Sequence, residues 1–412
     1  MNETARIVIV GAGHAGGTAA ALLRQHGHTG PIELIGEEPS VPYQRPPLSK
    51  AFLKGEAGIE ELKLRPDSFY ADQAIALRLG VRAEAIDPAA KRVRIDDGSE
   101  APYDILVLAT GSANRKLGLK GAEPGDLLEL RSLADAERLK AALGAGRRLS
   151  IVGAGYVGLE AAASARSMGV EVTVIELAPR VLARVACEEL SGFFAAYHRA
   201  RGVEILTGVE VEALERAESG PAALRLKDGR RVACDAVLVG VGAHARADLA
   251  EGCGLDCEFG VVVDATGRSS DRSIWAIGDV TVRPMAHYGD RHHRLESVPG
   301  VLDQARQAVA SILGLPPPAH EVPWFWSDQY DLKLQIAGVP FEADRRVVRG
   351  DIGSAKFAIF HLAGDRIAAV EAVNCPPEFM AGRHLIAQGR RVDAERLADP
   401  KVSMREVATT SP

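Results

Sequence analysis

This chain of 412 residues has only five cysteines, Cys187, Cys234, Cys253, Cys257 and Cys375. An odd number without secreted-type spacing excludes a disulfide framework and favours a reducing compartment. Cys253 and Cys257 lie four apart, but thioredoxin-type spacing is absent and no second ligand pair is near. They read as buried or surface thiols, and no metal site is expected. Long apolar runs are missing too: none approaches the roughly 18 residues of a membrane helix. The first strand starts at Arg6, leaving no room for a signal peptide, so a cytoplasmic location without membrane contact is expected. Nor is there a basic excess. The formal net charge of −6 argues against a nucleic-acid partner, while leaving room for a local basic patch that meets an acidic protein.

What the chain has in quantity is glycine, 42 residues, and two clusters of it match. Gly11-Ala12-Gly13-His14-Ala15-Gly16 follows an apolar strand at 6–10 and opens a helix over about 14–26, before a strand at 32–35. Gly153-Ala154-Gly155-Tyr156-Val157-Gly158 repeats the order: strand 148–152, helix about 156–168, strand 171–175. Each is a βαβ unit with the continuous apolar strands of a buried parallel sheet. In such a loop the first glycine allows the tight turn and the second lets the backbone approach a pyrophosphate. The third allows close helix–strand packing. Backbone N–H groups at the helix start then meet the phosphate charge. Each unit ends in an acid, Glu37 or Glu176, 26 and 23 residues after its first glycine. That is close to the spacing for an acid on a ribose. Two such units suggest two dinucleotides and hence electron transfer.

Further apolar strands run into Ala109-Thr110-Gly111, Gly240-Val241-Gly242 and Gly278-Asp279, and a helix is expected over 297–313. Past the Pro316-Pro317-Pro318 break the pattern alternates at 332–336, 356–362 and 366–373, with a helix near 377–389. The fold class is therefore α/β, two Rossmann-like dinucleotide-binding domains followed by a small α+β domain with an antiparallel sheet.

Several motifs occur in a fixed order: the first loop, Pro42-Tyr43-Gln44-Arg45-Pro46-Pro47-Leu48-Ser49-Lys50, Ala109-Thr110-Gly111, and the second loop with Glu160. Ala276-Ile277-Gly278-Asp279-Val280 and Trp324-Phe325-Trp326-Ser327-Asp328-Gln329 complete the set. Over nearly the whole chain this resembles the FAD-dependent, NADH-oxidising ferredoxin reductases of bacterial oxygenase systems, the putidaredoxin reductase and rubredoxin reductase family. The resemblance implies a glutathione-reductase-like architecture. Residues 1–116 and 243–320 would form a discontinuous FAD-binding domain, 117–242 an NADH-binding domain and 321–412 the C-terminal domain. It implies FAD at Gly11, Gly13, His14, Ala15, Gly16, Glu37, Arg45, Lys50, Ala83, Ala109, Thr110, Gly111 and Arg131. Gly278, Asp279 (on a ribitol hydroxyl), Glu296, Ser297, Val298 and Trp326 belong to the same set. NADH falls to Gly153, Gly155, Tyr156, Val157, Gly158, Glu160, Glu176 and Gly242. Lys50, with Glu160 as partner, is the expected catalytic pair, the carboxylate keeping the lysine charged and placed; the bland alternative is a surface ion pair.

Glu176 would accept from a ribose diol and repel a 2′-phosphate, favouring NADH, although Arg180 and Arg184 follow it. The helix start at Ser297-Val298 offers free N–H groups to the charge that gathers on a reduced flavin. Gly300 stands where the resembled family commonly has asparagine and weakens the helix slightly. Disulfide-reducing flavoenzymes of this architecture carry cysteines after the first βαβ unit. Residues 38–60 have none, and the histidine-bearing C-terminal motif is missing as well. Electrons are thus expected to leave singly, to a [2Fe–2S] ferredoxin serving an oxygenase. An NADH oxidase or quinone reductase, or a flavin-bearing NADH sensor, are the alternatives. Arg306, Lys333, Arg345, Arg346 and Arg349 are candidates for a basic docking patch, and His287, His292 and His293 read as a solvated loop.

Overall fold

The computed structural model describes residues 4–218 and 220–408. The chain groups into two compact units. Of the described residues, one gathers 4–44, 59–113 and 244–325; the other gathers 45–58, 114–218, 220–243 and 326–408. Among the described residues no helix is long and apolar enough to cross a membrane.

The first unit is built on a five-stranded parallel sheet in the order Ile274–Ala276, Ile105–Leu108, Ile7–Val10, Ile32–Gly36, Ile75–Leu79. Both faces of this sheet are covered, so the strands show unbroken apolar runs rather than alternation. Ile7–Val10 and Ile105–Leu108 are buried at every position. Ile7, Ile9, Ile105 and Val107 pack into one apolar cluster with Leu23, Ala305 and Val309. Val8, Val10, Leu106 and Leu108 pack into another with Ile35 and Ala276. That division is the period-2 alternation of a strand expressed in two cores. The helices His14–Gln25 and Val298–Leu313 share the first cluster through Ala15, Ala19 and Leu23 on one side and Val301, Ala305 and Val309 on the other. Each fully buried Ile or Leu there contributes about 1.5–3 kcal/mol. A small antiparallel sheet, Ala83–Asp87, Arg92–Ile95, Glu100–Pro102, completes the region.

In the second unit the parallel motif recurs, ordered Val203–Thr207, Glu171–Glu176, Arg148–Val152, Ala236–Val239, Leu127–Leu128. Its helix Tyr156–Ser167 is rich in alanine, buried along Ala161–Ala163 and Ala165. The C-terminal sheet is antiparallel, as its alternating sequence suggests. Its order is Trp324–Gln329, Leu332–Gly338, Arg366–Val373, Lys356–Ala363, Arg345–Asp351. The helix Pro376–Gln388 lies close on it because Gly382 has no side chain. A Cβ there would stand 2.8 Å from Val370 and 3.2 Å from Phe360.

Candidate functional site

The first glycine loop leaves Val10 and turns at once. Gly11 has φ +118°, and a Cβ on it would meet the Ala109 carbonyl oxygen at 2.1 Å, so only glycine fits. Gly16 is equally constrained, its missing Cβ lying 2.0 Å from the Gly11 carbonyl. Gly13 is different: a Cβ there would meet nothing within 4 Å. The packing of the chain does not by itself require glycine at that point. Gly13 is also the N-cap of the helix, with no side-chain cap and no acid in the first turn, so the helix start keeps its uncompensated donors. Directly after Gly13, the half-buried His14 has Nδ1 shut off from solvent without a hydrogen bond. Burial pulls its pKa down, partly offset by the Asp279 carboxylate.

The other first-unit residues lie as follows. Ala109 N donates to the Val10 carbonyl at 2.7 Å, and Thr110 Oγ1 to the Arg246 carbonyl at 2.8 Å. Gly111 adopts φ +68°, and its carbonyl accepts from Arg246 N at 2.9 Å. Arg246 also reaches Glu37, Nη1 to Oε2 at 2.7 Å. Ala83 is buried opposite Ile95. Gly278-Asp279 is fixed from beneath by Gln304, whose Oε1 accepts from Gly278 N at 3.0 Å and Thr281 Oγ1 at 2.7 Å. Ser112 Oγ reaches Asp279 Oδ2 at 3.4 Å, and Glu296 pairs with Arg294 at 2.7 Å. At the helix start Ser297 Oγ accepts from Gly300 N at 3.1 Å. Pro299 has no N–H, so Val298 alone of the first three positions keeps a donor toward the N-terminal side. With Gly300 N taken by the cap, the donors left at this helix start are those of Ser297 and Val298. Gly300 has a local reason as well: a Cβ there would press on Ser297 Oγ at 2.9 Å, against the cap.

In the second unit the other loop repeats the first. Gly153 has φ +106° with a would-be Cβ 2.3 Å from the Gly240 carbonyl. Gly158 meets the Gly153 carbonyl at 2.3 Å, and Gly155 meets nothing within 4 Å. Gly155 caps its helix without a side-chain partner, again with no acid in the first turn. Glu176 is locked: Oε2 accepts from Ala154 N at 2.7 Å and Oε1 from Ala178 N at 2.8 Å. Tyr156 donates to the Val185 carbonyl at 3.2 Å, and burial raises its pKa well above the ordinary value. Val157 is exposed. Gly242, at φ +105°, faces the Arg184 guanidinium. Arg180 is engaged by the backbone, donating to the carbonyls of Ala186 at 2.8 Å and Ala183 at 2.9 Å.

The same unit brings Lys50 and Glu160 together. Lys50 Nζ stands 2.6 Å from Glu160 Oε2, with side chains 18% and 6% exposed, so this is not the solvated pair of the bland reading. Two serines complete the carboxylate: Ser49 Oγ donates to Oε2 and Ser327 Oγ to Oε1, both at 2.6 Å. Gln329 Nε2 donates to Ser327 at 3.1 Å, and Gln329 Oε1 meets His198 Nε2 at 2.8 Å. Burial pulls the His198 pKa down to about 4, so the ring is neutral at pH 7. Strand alternation puts Trp326 on the face opposite Ser327; it is half-buried. Arg45 donates through Nη1 to the Arg131 carbonyl, joining two residues that the sequence separates by 86.

Ser49, Ser327, Gln329, His198, Arg246, Gln304 and Thr281 escape sequence reasoning. Each is a common residue whose partner lies elsewhere in the chain; only Ser49, Ser327 and Gln329 fall inside recognised motifs. Among the docking candidates Arg349 is a correction. It is 4% exposed, and its guanidinium donates to the carbonyls of Leu397, Asp399, Pro400 and Val402. It ties down the C-terminal segment and offers nothing to a partner. Arg306 and Arg346 are paired with Glu321 at 2.7 Å and Glu189 at 3.1 Å. Lys333 and Arg345 are exposed. His287 Nε2 is hydrogen-bonded to the His320 carbonyl at 3.1 Å.

Comparison with known proteins matches residues 5–310 to the family model for pyridine nucleotide-disulphide oxidoreductases and residues 324–408 to the model for the reductase C-terminal domain. The chain is 48% identical over 408 residues to "Probable ferredoxin reductase CtmF" of Castellaniella defragrans, covering 99% of this chain and 100% of that one. It is 41% identical to rhodocoxin reductase of Rhodococcus erythropolis, over 97% and 93% of the two chains. Among solved structures, the reductase in the covalent putidaredoxin reductase–putidaredoxin complex superposes with a TM-score of 0.95 at 39% identity, over 98% of each chain.

Proposed function

Since the chain belongs to the pyridine nucleotide-disulphide oxidoreductases, within the ferredoxin reductases of bacterial oxygenase systems, we propose that it carries electrons from NADH through FAD to a [2Fe–2S] ferredoxin serving a monooxygenase or dioxygenase. Members of the wider family typically bind FAD and use NAD(P)H. The observation that carries the reading is the matched pair of loops, in which Gly11 and Gly153 are dictated by the chain but Gly13 and Gly155 face open space. The residues fit the two cofactors: uncapped helix starts for the pyrophosphates, and a solvent-excluded His14 nitrogen without a protein partner beside the first.

The first loop is assigned to FAD and the second to NADH, with 1–116 and 243–320 as the FAD-binding domain, 117–242 as the NADH-binding domain and 321–412 as the C-terminal domain. A flavin held there would supply hydride acceptance from a nicotinamide and one-electron return; the chain supplies position and electrostatics. Gly13, His14 and Ala15 receive the flavin pyrophosphate on backbone donors, Glu37 and Ala83 the adenosine side, and Asp279 a ribitol hydroxyl. Val298 N, at its helix start, would offer a fixed dipole to charge on a reduced flavin, at no cost of reorganisation. Lys50 is a cation held in one place by Glu160, Ser49 and Ser327 around it.

Glu176 supports NADH over NADPH. Its two oxygens are pinned by backbone donors, so the carboxylate cannot swing away from a 2′-phosphate. Arg180, engaged by carbonyls, is not available to receive one. The five cysteines are all free thiols, and none lies in 38–60; this supports a one-electron acceptor rather than an internal disulfide. The test is direct: purified protein should be yellow with bound FAD and bleach anaerobically on adding NADH. Colourless protein that FAD cannot reconstitute would overturn the reading.

A further inference from the structure

Within the second unit, close to Tyr156 of the second glycine loop, a thiol, an imidazole and a carboxylate converge. Cys187 ends the loop before the helix Glu188–Ala200. His361 and Glu371 lie on adjacent antiparallel strands, where Ala369 is opposite His361 and Ile359 opposite Glu371. That register makes them diagonal neighbours on one face of the sheet. The loop carries Cys187 onto that face: Glu371 Oε1 accepts from Cys187 N at 3.1 Å, and Oε2 stands 2.8 Å from Cys187 Sγ. His361 Nε2 is 3.5 Å from the same Oε2. One ligand atom from each residue lies within 4.8 Å of those of the other two.

All three are more than nine-tenths buried, Cys187 and His361 at 7% exposure and Glu371 at 4%. His361 Nε2 makes no hydrogen bond. A buried ring nitrogen aimed at a thiol–carboxylate pair without a bond of its own is an arrangement that folded proteins rarely leave uncompensated. The function proposed above uses none of these three side chains.

We propose that Cys187, His361 and Glu371 form a site for one zinc ion. Sulfur, nitrogen and oxygen donors together suit a borderline-soft divalent cation and disfavour magnesium and calcium, which need oxygen ligands throughout. Thiolate and carboxylate carry two negative charges, which a divalent ion neutralises in a buried setting. On binding, Zn–S, Zn–N and Zn–O bonds form, the Cys187 S–H bond breaks and its proton passes to solvent; no electron moves. The histidine ligates through Nε2, its ring proton resting on Nδ1. Water takes the remaining tetrahedral position. The ion clips the start of the helix Glu188–Ala200 to two strands of the C-terminal sheet.

The test uses the full-length, flavin-bearing protein, stripped with a chelator and dialysed against zinc chloride, with metal counted by mass spectrometry. The expected result is one equivalent per chain, bound at least tenfold more weakly by C187S and H361Q and unchanged in C253S. C187S keeps a hydroxyl donor for Glu371, so it preserves the contact apart from the sulfur. Cobalt(II) replacing zinc should give a sulfur-to-cobalt charge-transfer band in wild type. That reading decides the matter even if a variant fails to fold. No stoichiometric uptake by wild type, no sulfur-to-cobalt band, or equal uptake by folded C187S and H361Q would each overturn the site.

Discussion

Removing the charge of Glu160 should damage the protein more when Lys50 is left in place than when both are replaced. At 2.6 Å the gross attraction at an effective dielectric of 20 is about 6 kcal/mol. Taking both groups out of water costs several kcal/mol each, so the intact pair is close to break-even. An uncompensated partner, however, keeps its desolvation cost. Glu160→Gln leaves the ammonium facing an amide, and Lys50→Met leaves a carboxylate with only Ser49 and Ser327. Each single change should cost about 3–5 kcal/mol. The double variant keeps an acceptor for the serines and has no orphaned charge; its cost should be about 1–2 kcal/mol, a coupling of several kcal/mol. Urea unfolding of all four proteins at low and high salt measures this cycle. Single effects that simply add, or a pair worth under about 1 kcal/mol that fades with salt, would mean an ordinary exposed ion pair and refute the reasoning.

The two kinds of loop glycine should separate cleanly. Gly11→Ala should destabilise the chain by well over 1 kcal/mol through φ +118° and the Ala109 carbonyl. Gly13→Ala should leave the fold intact while weakening FAD by at least about tenfold; retained affinity in a flavin titration would refute the phosphate role. Glu176→Gln should raise the NADPH to NADH ratio of kcat/KM by about 10- to 100-fold, equivalent to 1–3 kcal/mol of relieved repulsion. An unchanged ratio would remove that role. His198 should add acid lability. Above pH 6.5 it is neutral folded and unfolded; as pH falls from 6.5 to about 4 only the unfolded chain takes up the proton. Stability should drop over that window by on the order of 3 kcal/mol, and His198→Gln should flatten the profile. Parallel pH profiles would contradict this.

The glycine loops were legible because their logic is local: strand, turn, helix and closing acid follow one another within about 25 residues. The parallel strands were legible for the same reason, since their burial on both faces shows as unbroken apolar runs. Glu160 and Lys50 became a pair on paper only through family resemblance. Ser49 and Glu160 stand 111 positions apart and Ser327 and Glu160 167, and nothing in the chain between them implies that they meet. Arg246 reaches Glu37 across 209 residues. Arg349 misled because a lone arginine reads as surface; only the fold shows four backbone carbonyls waiting for its five donors. Cys187, His361 and Glu371 carry no ligand spacing at all, since strand register and a loop bring them together.

Electron delivery to a ferredoxin is measured most directly by NADH-driven cytochrome c reduction, with and without a [2Fe–2S] ferredoxin. Turnover should rise steeply with ferredoxin, saturate, and weaken as salt is added, because an acidic partner docks by charge. Turnover that is indifferent to ferredoxin, with electrons passing rapidly to oxygen instead, would contradict it.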